Sequence, residues 1–272
     1  MRTTVTVTVT VTMGLMAATM QAGELNPKVL SLIGDHARAV QGANLARYQP
    51  TVWNELFPWR VDQSVGGSVQ QLVTIAYDEG GTRPLTVLVG STAASDLAEG
   101  LQYANLDPAT AVFGDEAGVL EAVQRWSKPL ALSELARKAQ RLSEAYDNWF
   151  LIVKPLESLA RRPAAKYSAF ATELMQMVEE ASGGIRLGTY SQVHIEVVMK
   201  TADDAVTLAG LARWLPGFVQ LKEPDDYQSR IIDLAEDLSI RAEGKLATIS
   251  FVIPERKLED MLKATRSEES KR

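Results

Sequence analysis

The chain contains no cysteine and only two histidines, His36 and His194. Without a thiol there is no disulfide, no thiolate metal site and no cysteine nucleophile. Two imidazoles are too few for most zinc or triad chemistry. A basic excess is also missing: 28 Lys and Arg stand against 34 Asp and Glu, a net charge of −6. Nucleic-acid binders carry a basic stripe and a high pI, so that class is set aside. An acidic chain also gains no long-range attraction to anionic lipid. The glycines lack phosphate-loop spacing: Gly66-Gly67-Ser68 and Gly183-Gly184 fit no GxGxxG pattern, and no Gly-Lys-Ser/Thr occurs. Neither Ser68 nor Ser182 sits in a G-x-S-x-G elbow. No run beyond the N-terminus reaches the roughly 18 apolar residues of a membrane-spanning helix. The mature chain is therefore expected to have no integral membrane span.

What is present is ordinary globular composition, with 46% hydrophobic and 23% charged residues over 272 positions. That length holds one large or two modest domains. The first 22 residues read as a removable export signal. Arg2 supplies a positive start, and the run from Thr3 to Ala22 carries no charge. The Thr-Val alternation from Thr4 to Thr12 has the period of a strand instead, so a sheet-adding N-terminal strand is the competing reading. With no cysteine there is no lipobox.

A faint repeat organises the rest. Residues 75–101 read strand, Gly80-Gly81 turn, strand, helix, and residues 185–215 read the same way. In the best register Leu85 matches Ile195, Val87 matches Val197, Ser91 matches Thr201, and Gly100-Leu101 matches Gly210-Leu211. Strands are predicted over 37–45, 69–77, 85–89, 109–113, 149–153, 185–190, 193–200, 238–242 and 246–253. Helices are predicted over 28–33, 51–56, 92–101, 116–126, 132–146, 170–181, 201–215 and 231–236, with a last one from Pro254. Val119, Leu120 and Val123 are expected on the buried face of the 116–126 helix. Gly183-Gly184 is read as the stop of the 170–181 helix, and Pro216-Gly217 as an interruption of the 201–215 helix. Thr201 with Asp204 is a capping box.

The element order suggests an α+β protein of two tandem ferredoxin-like (split βαβ) units, with antiparallel sheets backed by helices; one continuous sheet shared by the two units is the alternative, and the sequence does not decide between them. The first unit spans 25–128, the second spans 130–266 with the 132–146 helix as a bridge, and 267–272 is a frayed tail. Lys128-Pro129 marks the boundary.

The chain also resembles a family of exported bacterial proteins of uncharacterised role. The resemblance rests on residues 35–44 (DHARAVQGAN), Tyr146-Asp147-Asn148-Trp149-Phe150, residues 181–188 (ASGGIRLG) and Ile253-Pro254-Glu255. It implies a duplicated α+β architecture and export. It brings no activity and no functional residue.

Few residues stand out as chemistry. Adjacent strand residues point to opposite faces, so Asp35-His36 is poorly placed to act as a couple. His194 lies in an alternating strand, with Glu196 two residues on. Asp203-Asp204 caps a helix. Glu223, Asp225 and Asp226 lack the alternating oxygen ligands and glycine turn of a calcium loop, and Arg161-Arg162 with Lys166 reads as a solvated loop. No cofactor and no metal are expected. The sharpest feature is an aromatic segment, Trp53, Leu56, Phe57 and Trp59, taken as a candidate protein-partner patch because Trp and Tyr favour interfaces. The functional expectation is an exported, non-enzymatic interaction or scaffold protein of the cell envelope, with a protein partner. A small-ligand or lipid carrier using a cleft between the units is the alternative, and an enzyme of unrecognised type is third.

Overall fold

The computed structural model describes residues 25–48, 69–77, 84–90, 102–128, 131–153, 176–219 and 235–269. They form α1 (Pro27–Ser31), β1 (Ala37–Asn44), α2 (Leu45–Tyr48), β2 (Val69–Tyr77), β3 (Leu85–Gly90), β4 (Gln102–Asp107), β5 (Thr110–Gly114), α3 (Glu116–Ser127), α4 (Glu134–Ala145), β6 (Asn148–Val153), β7 (Val178–Arg186), β8 (Tyr190–Met199), α5 (Ala202–Val219), β9 (Glu236–Glu243), β10 (Leu246–Pro254) and α6 (Glu255–Glu269). All ten strands lie in one antiparallel sheet, in the order β4-β5-β3-β2-β1-β6-β7-β8-β10-β9.

The α+β class expected from the sequence holds, and of the two sheet arrangements left open the single continuous one is found. β1 pairs with β2 on one side and with β6 on the other, from Ala39↔Ile152 to Ala43↔Asn148. Backbone groups on a buried strand need partners, and the second half supplies them. Gly42 lies opposite Trp149, and a side chain there would collide with the indole. Read outward from this seam, the halves run 1-2-3-5-4 and 6-7-8-10-9. The β8–α5–β9 crossover, with β10 inserted between its strands, is a split βαβ. A ferredoxin-like unit would need the strand beside β8 to follow β10 in the chain; here it is β7, which precedes it.

The apolar layers change sides across the sheet. Val40, Val73, Ile75, Val87, Val112 and Trp149 pack under α1, α3 and α4, with Val29, Leu30, Val119, Ala122, Trp126, Ala136 and Ala139. The register carries that face from Val40 through Leu151 and Ser182 to Glu196 and Thr248, so it turns polar in the second half. There the opposite face is apolar: Val197, Met199 and Ala247 pack on Ala205 and Leu208 of α5.

Local chemistry explains the helix starts. Asn26, Asp115 and Ser133 cap α1, α3 and α4 through their side-chain oxygens. The Thr201–Asp204 box forms both of its bonds at 3.1 Å. Gly244 takes a positive φ of 54° in the β9–β10 turn.

Four expectations are corrected. Residues 178–181 are strand, not helix, and Gly183 and Gly184 lie inside β7. A side chain at Gly183 would strike the His194 backbone and one at Gly184 would strike Tyr146, so these glycines permit close approach rather than stopping a helix. α5 continues through Pro216 and Gly217 to Val219. β4 was not expected: Gln, Ala, Asn and Asp have low strand propensity. On α3, Ala122 and Trp126 join Val119 in the core while Leu120 and Val123 face outward. Trp126, beneath the Lys28 ammonium at 5.2 Å, sets that rotation. The predicted helices at 51–56 and 92–101, the Gly80-Gly81 turn and Ser91 lie outside the described residues.

Candidate functional site

The candidate partner patch, Trp53, Leu56, Phe57 and Trp59, lies outside the described residues, as do Arg161, Arg162, Lys166, Glu223, Asp225 and Asp226. Asp35 and His36 are exposed in the turn before β1. Asp204 is engaged as a cap.

The structure instead assembles a polar cluster at the seam. β1 runs into the single turn α2, which carries Arg47. α4 ends at Tyr146, and Asp147 leads into β6. Arg47 and Asp147 form a buried ion pair, with side chains 7% and 1% exposed. The second carboxylate oxygen accepts the Leu187 N–H at 2.8 Å. The Asp147 backbone donates to Ile185 and accepts from Asn44, both at 2.8 Å. One residue thus ties the ends of β1, β6 and β7. Arg186 donates Nε and Nη2 to the Ala145 carbonyl, at 3.1 and 3.0 Å. Burial, and then the Arg186 charge, lower the Arg47 guanidinium from its ordinary value. Nη2 of Arg47 has no hydrogen-bond partner among the described residues.

Tyr146 stacks on His194, with ring centroids 6.4 Å apart, and His194 Nε2 lies 3.3 Å from Glu196 Oε1. Burial raises the Tyr146 phenol, and the Glu196 charge raises it further. The imidazole and carboxylate are both part-exposed, and the register places Ser250 opposite His194 and Ser182 opposite Glu196. The cluster can orient strands. Among the described residues no three His, Asp or Glu side chains gather as a metal site. A cavity of about 10 Å³ beside the ion pair, lined by Asn44, Ser143, Tyr146, Asp147 and Trp149 among others, has room for one water at most. Among the described residues the two halves meet here through paired strands.

Among the described residues the two ends of the sheet differ. β9 carries Glu236, Asp237, Arg241 and Glu243, and Asp237 has a positive φ of 52° beside a register shift. Charge and irregularity of this kind shield an edge. β4 carries no charge until Asp107. Tyr103, 44% exposed, stacks on Phe113 at 6.1 Å. On the other face α3 covers β4 and β5, with Leu120 58% and Val123 36% exposed. Arg125 lies against Gly34 and so marks the side of α3 that faces α1. At about 100° per residue, Leu120 and Val123 lie about 140° and 160° around the helix from it. Their flank points toward the β4 edge.

Sequence reading passed over both features. Asp147 was visible only as part of the Tyr146–Phe150 motif, where an acid immediately before an apolar strand could have signalled a buried partner. No family model matches the chain, and no curated protein matches it. A solved structure described as crystal form I of TP0453 is similar over 89% of this chain and 98% of its own, at 10% identity and a TM-score of 0.49. That distant likeness carries no argument about function. Among the described residues no helix is long and apolar enough to cross a membrane.

Proposed function

We propose that the chain is an exported, non-enzymatic interaction or scaffold protein of the cell envelope, whose first 22 residues are removed on export. The uncharged Thr3–Ala22 run supports export. The observation that carries the interaction reading is the β4 edge: a strand whose one charge is Asp107 at its end, bordered by exposed Tyr103 on one face and by Leu120 and Val123 on the other. Exposed apolar groups gathered at one place mark contact surfaces. The matching strand orders of the two halves support descent from one duplicated α+β unit, a rearranged relative of the ferredoxin-like fold. The carrier reading draws no support from the seam, where the cavity holds one water at most.

Site-specific photo-cross-linking from position 120, in the native host, tests this reading. A discrete cross-linked protein product in the envelope fraction is expected. Absence of any such product, together with copurified lipid, would overturn it. Mass spectrometry of the exported protein should find residues 1–22 missing; a full-length cytoplasmic mass refutes the export assignment.

A further inference from the structure

Given the interaction reading above, the geometry of the β4 edge bears on which partner it suits. A two-fold axis normal to the sheet would run two β4 strands antiparallel and keep both α3 helices on one face. Leu120 and Val123 of one copy would then meet the same residues of the other, and the Tyr103 rings would meet on the opposite face. An isologous contact must be self-complementary in this way.

Charge permits it. Every antiparallel self-register of Gln102-Tyr103-Ala104-Asn105-Leu106-Asp107 that overlaps four residues or more keeps the two Asp107 side chains from facing one another. Glu116 at the start of α3 would lie toward the C-terminal end of the other α3, where helix dipoles favour opposite ends. β9 is unsuited: in full overlap Glu236 would face Glu243 twice, and like charges directly opposite destabilise. The molecule already uses this construction once. β1 and β6 pair antiparallel at the seam, with α1 and α4 in contact on the same face.

We propose that β4 is a self-pairing edge, through which two copies of the chain join as an antiparallel strand pair with their α3 helices side by side. A six-residue strand and one helix flank fall short of the roughly 20–30 residues a side of a standard interface, so the dimer is expected to be reversible and concentration-dependent. Both copies are acidic, so screening by salt strengthens it.

Sedimentation equilibrium of the purified protein, from about 1 to 300 μM, tests the proposal. The mass should double across that range, with a dissociation constant in the micromolar region. The Leu120→Lys/Val123→Lys variant should weaken the dimer by at least about 30-fold. Leu238→Lys on β9 should leave it unchanged, with circular dichroism confirming that both variants fold. A wild-type monomer at every concentration overturns the proposal, and so does a Leu120→Lys/Val123→Lys variant that dimerises like wild type. Photo-cross-linking from position 120 separates this failure from failure of the wider reading. A product containing only a different protein rejects self-pairing and keeps the interaction reading; a product of twice the chain's mass supports both.

Discussion

Removal of the Asp147 carboxylate should be among the most damaging single changes in the molecule. The Asp147→Ala variant leaves the Arg47 guanidinium, 7% exposed, without its counter-charge. It also leaves the Leu187 N–H without its acceptor. Breaking one partner out of a buried ion pair costs about 3–5 kcal/mol. At about 2–4 °C per kcal/mol for a chain of this size, the melting temperature should fall by about 6–20 °C. Arg47→Met should cost a comparable amount, because it strands the carboxylate. The double variant Arg47→Met/Asp147→Leu should cost much less than the sum, since a pair replaced by apolar groups is often near neutral. The Leu187 N–H remains orphaned in that variant, at about 1–3 kcal/mol. Urea unfolding of wild type, Arg47→Met, Asp147→Leu and the double variant closes a double-mutant cycle that measures the coupling, expected at about 2 kcal/mol or more. Additive single effects would show that the two side chains do not act as a pair and would refute the reasoning.

Three further outcomes are expected. The Tyr77 phenol is pushed up to about 12, chiefly by burial. Its contribution is therefore intact below the unfolded value of about 10 and is lost as pH climbs to about 12, by at most about 2.7 kcal/mol; Tyr77→Phe should flatten that alkaline limb in pH-dependent melting, and an unchanged limb would count against it. Gly42→Ala should cost about 1–3 kcal/mol by forcing a methyl into Trp149, with a change in tryptophan emission; a variant as stable as wild type would place Trp149 elsewhere. Thr201→Ala should cost about 1 kcal/mol through the lost cap, read from denaturant midpoints, and no loss would mean that the α5 start is held by something else.

Much of the sheet was legible because its strands are made of residues that prefer strands. β2, β3, β8 and β10 are rich in Val, Ile and Leu and read correctly. β4 was missed because an edge strand of Gln, Asn and Asp has little intrinsic preference; its pairing to β5 makes it a strand. The start of β7 was misread because Glu and Ala between apolar positions mimic a helical face, and pairing on both sides overrode that local signal. The buried side of α3 depended on Trp126 meeting α1, a contact with a segment almost a hundred residues upstream. The seam was illegible for the same reason. Nothing local to Arg47 or Asp147 states that they meet, and their pairing follows from the whole strand order.

The continuity of the sheet across β1 and β6 is the claim from which the rest follows, and a cross-link tests it directly. Gln41 lies opposite Phe150 in the register, at a separation suited to a disulfide. The chain has no cysteine of its own, so Gln41→Cys/Phe150→Cys introduces the only two thiols. Oxidation of the folded protein should close them rapidly, while the slipped pair Gln41→Cys/Leu151→Cys, whose side chains point to opposite faces, should stay reduced. Free thiols in the first variant, or equal closure in both, would contradict a single sheet shared by the two halves.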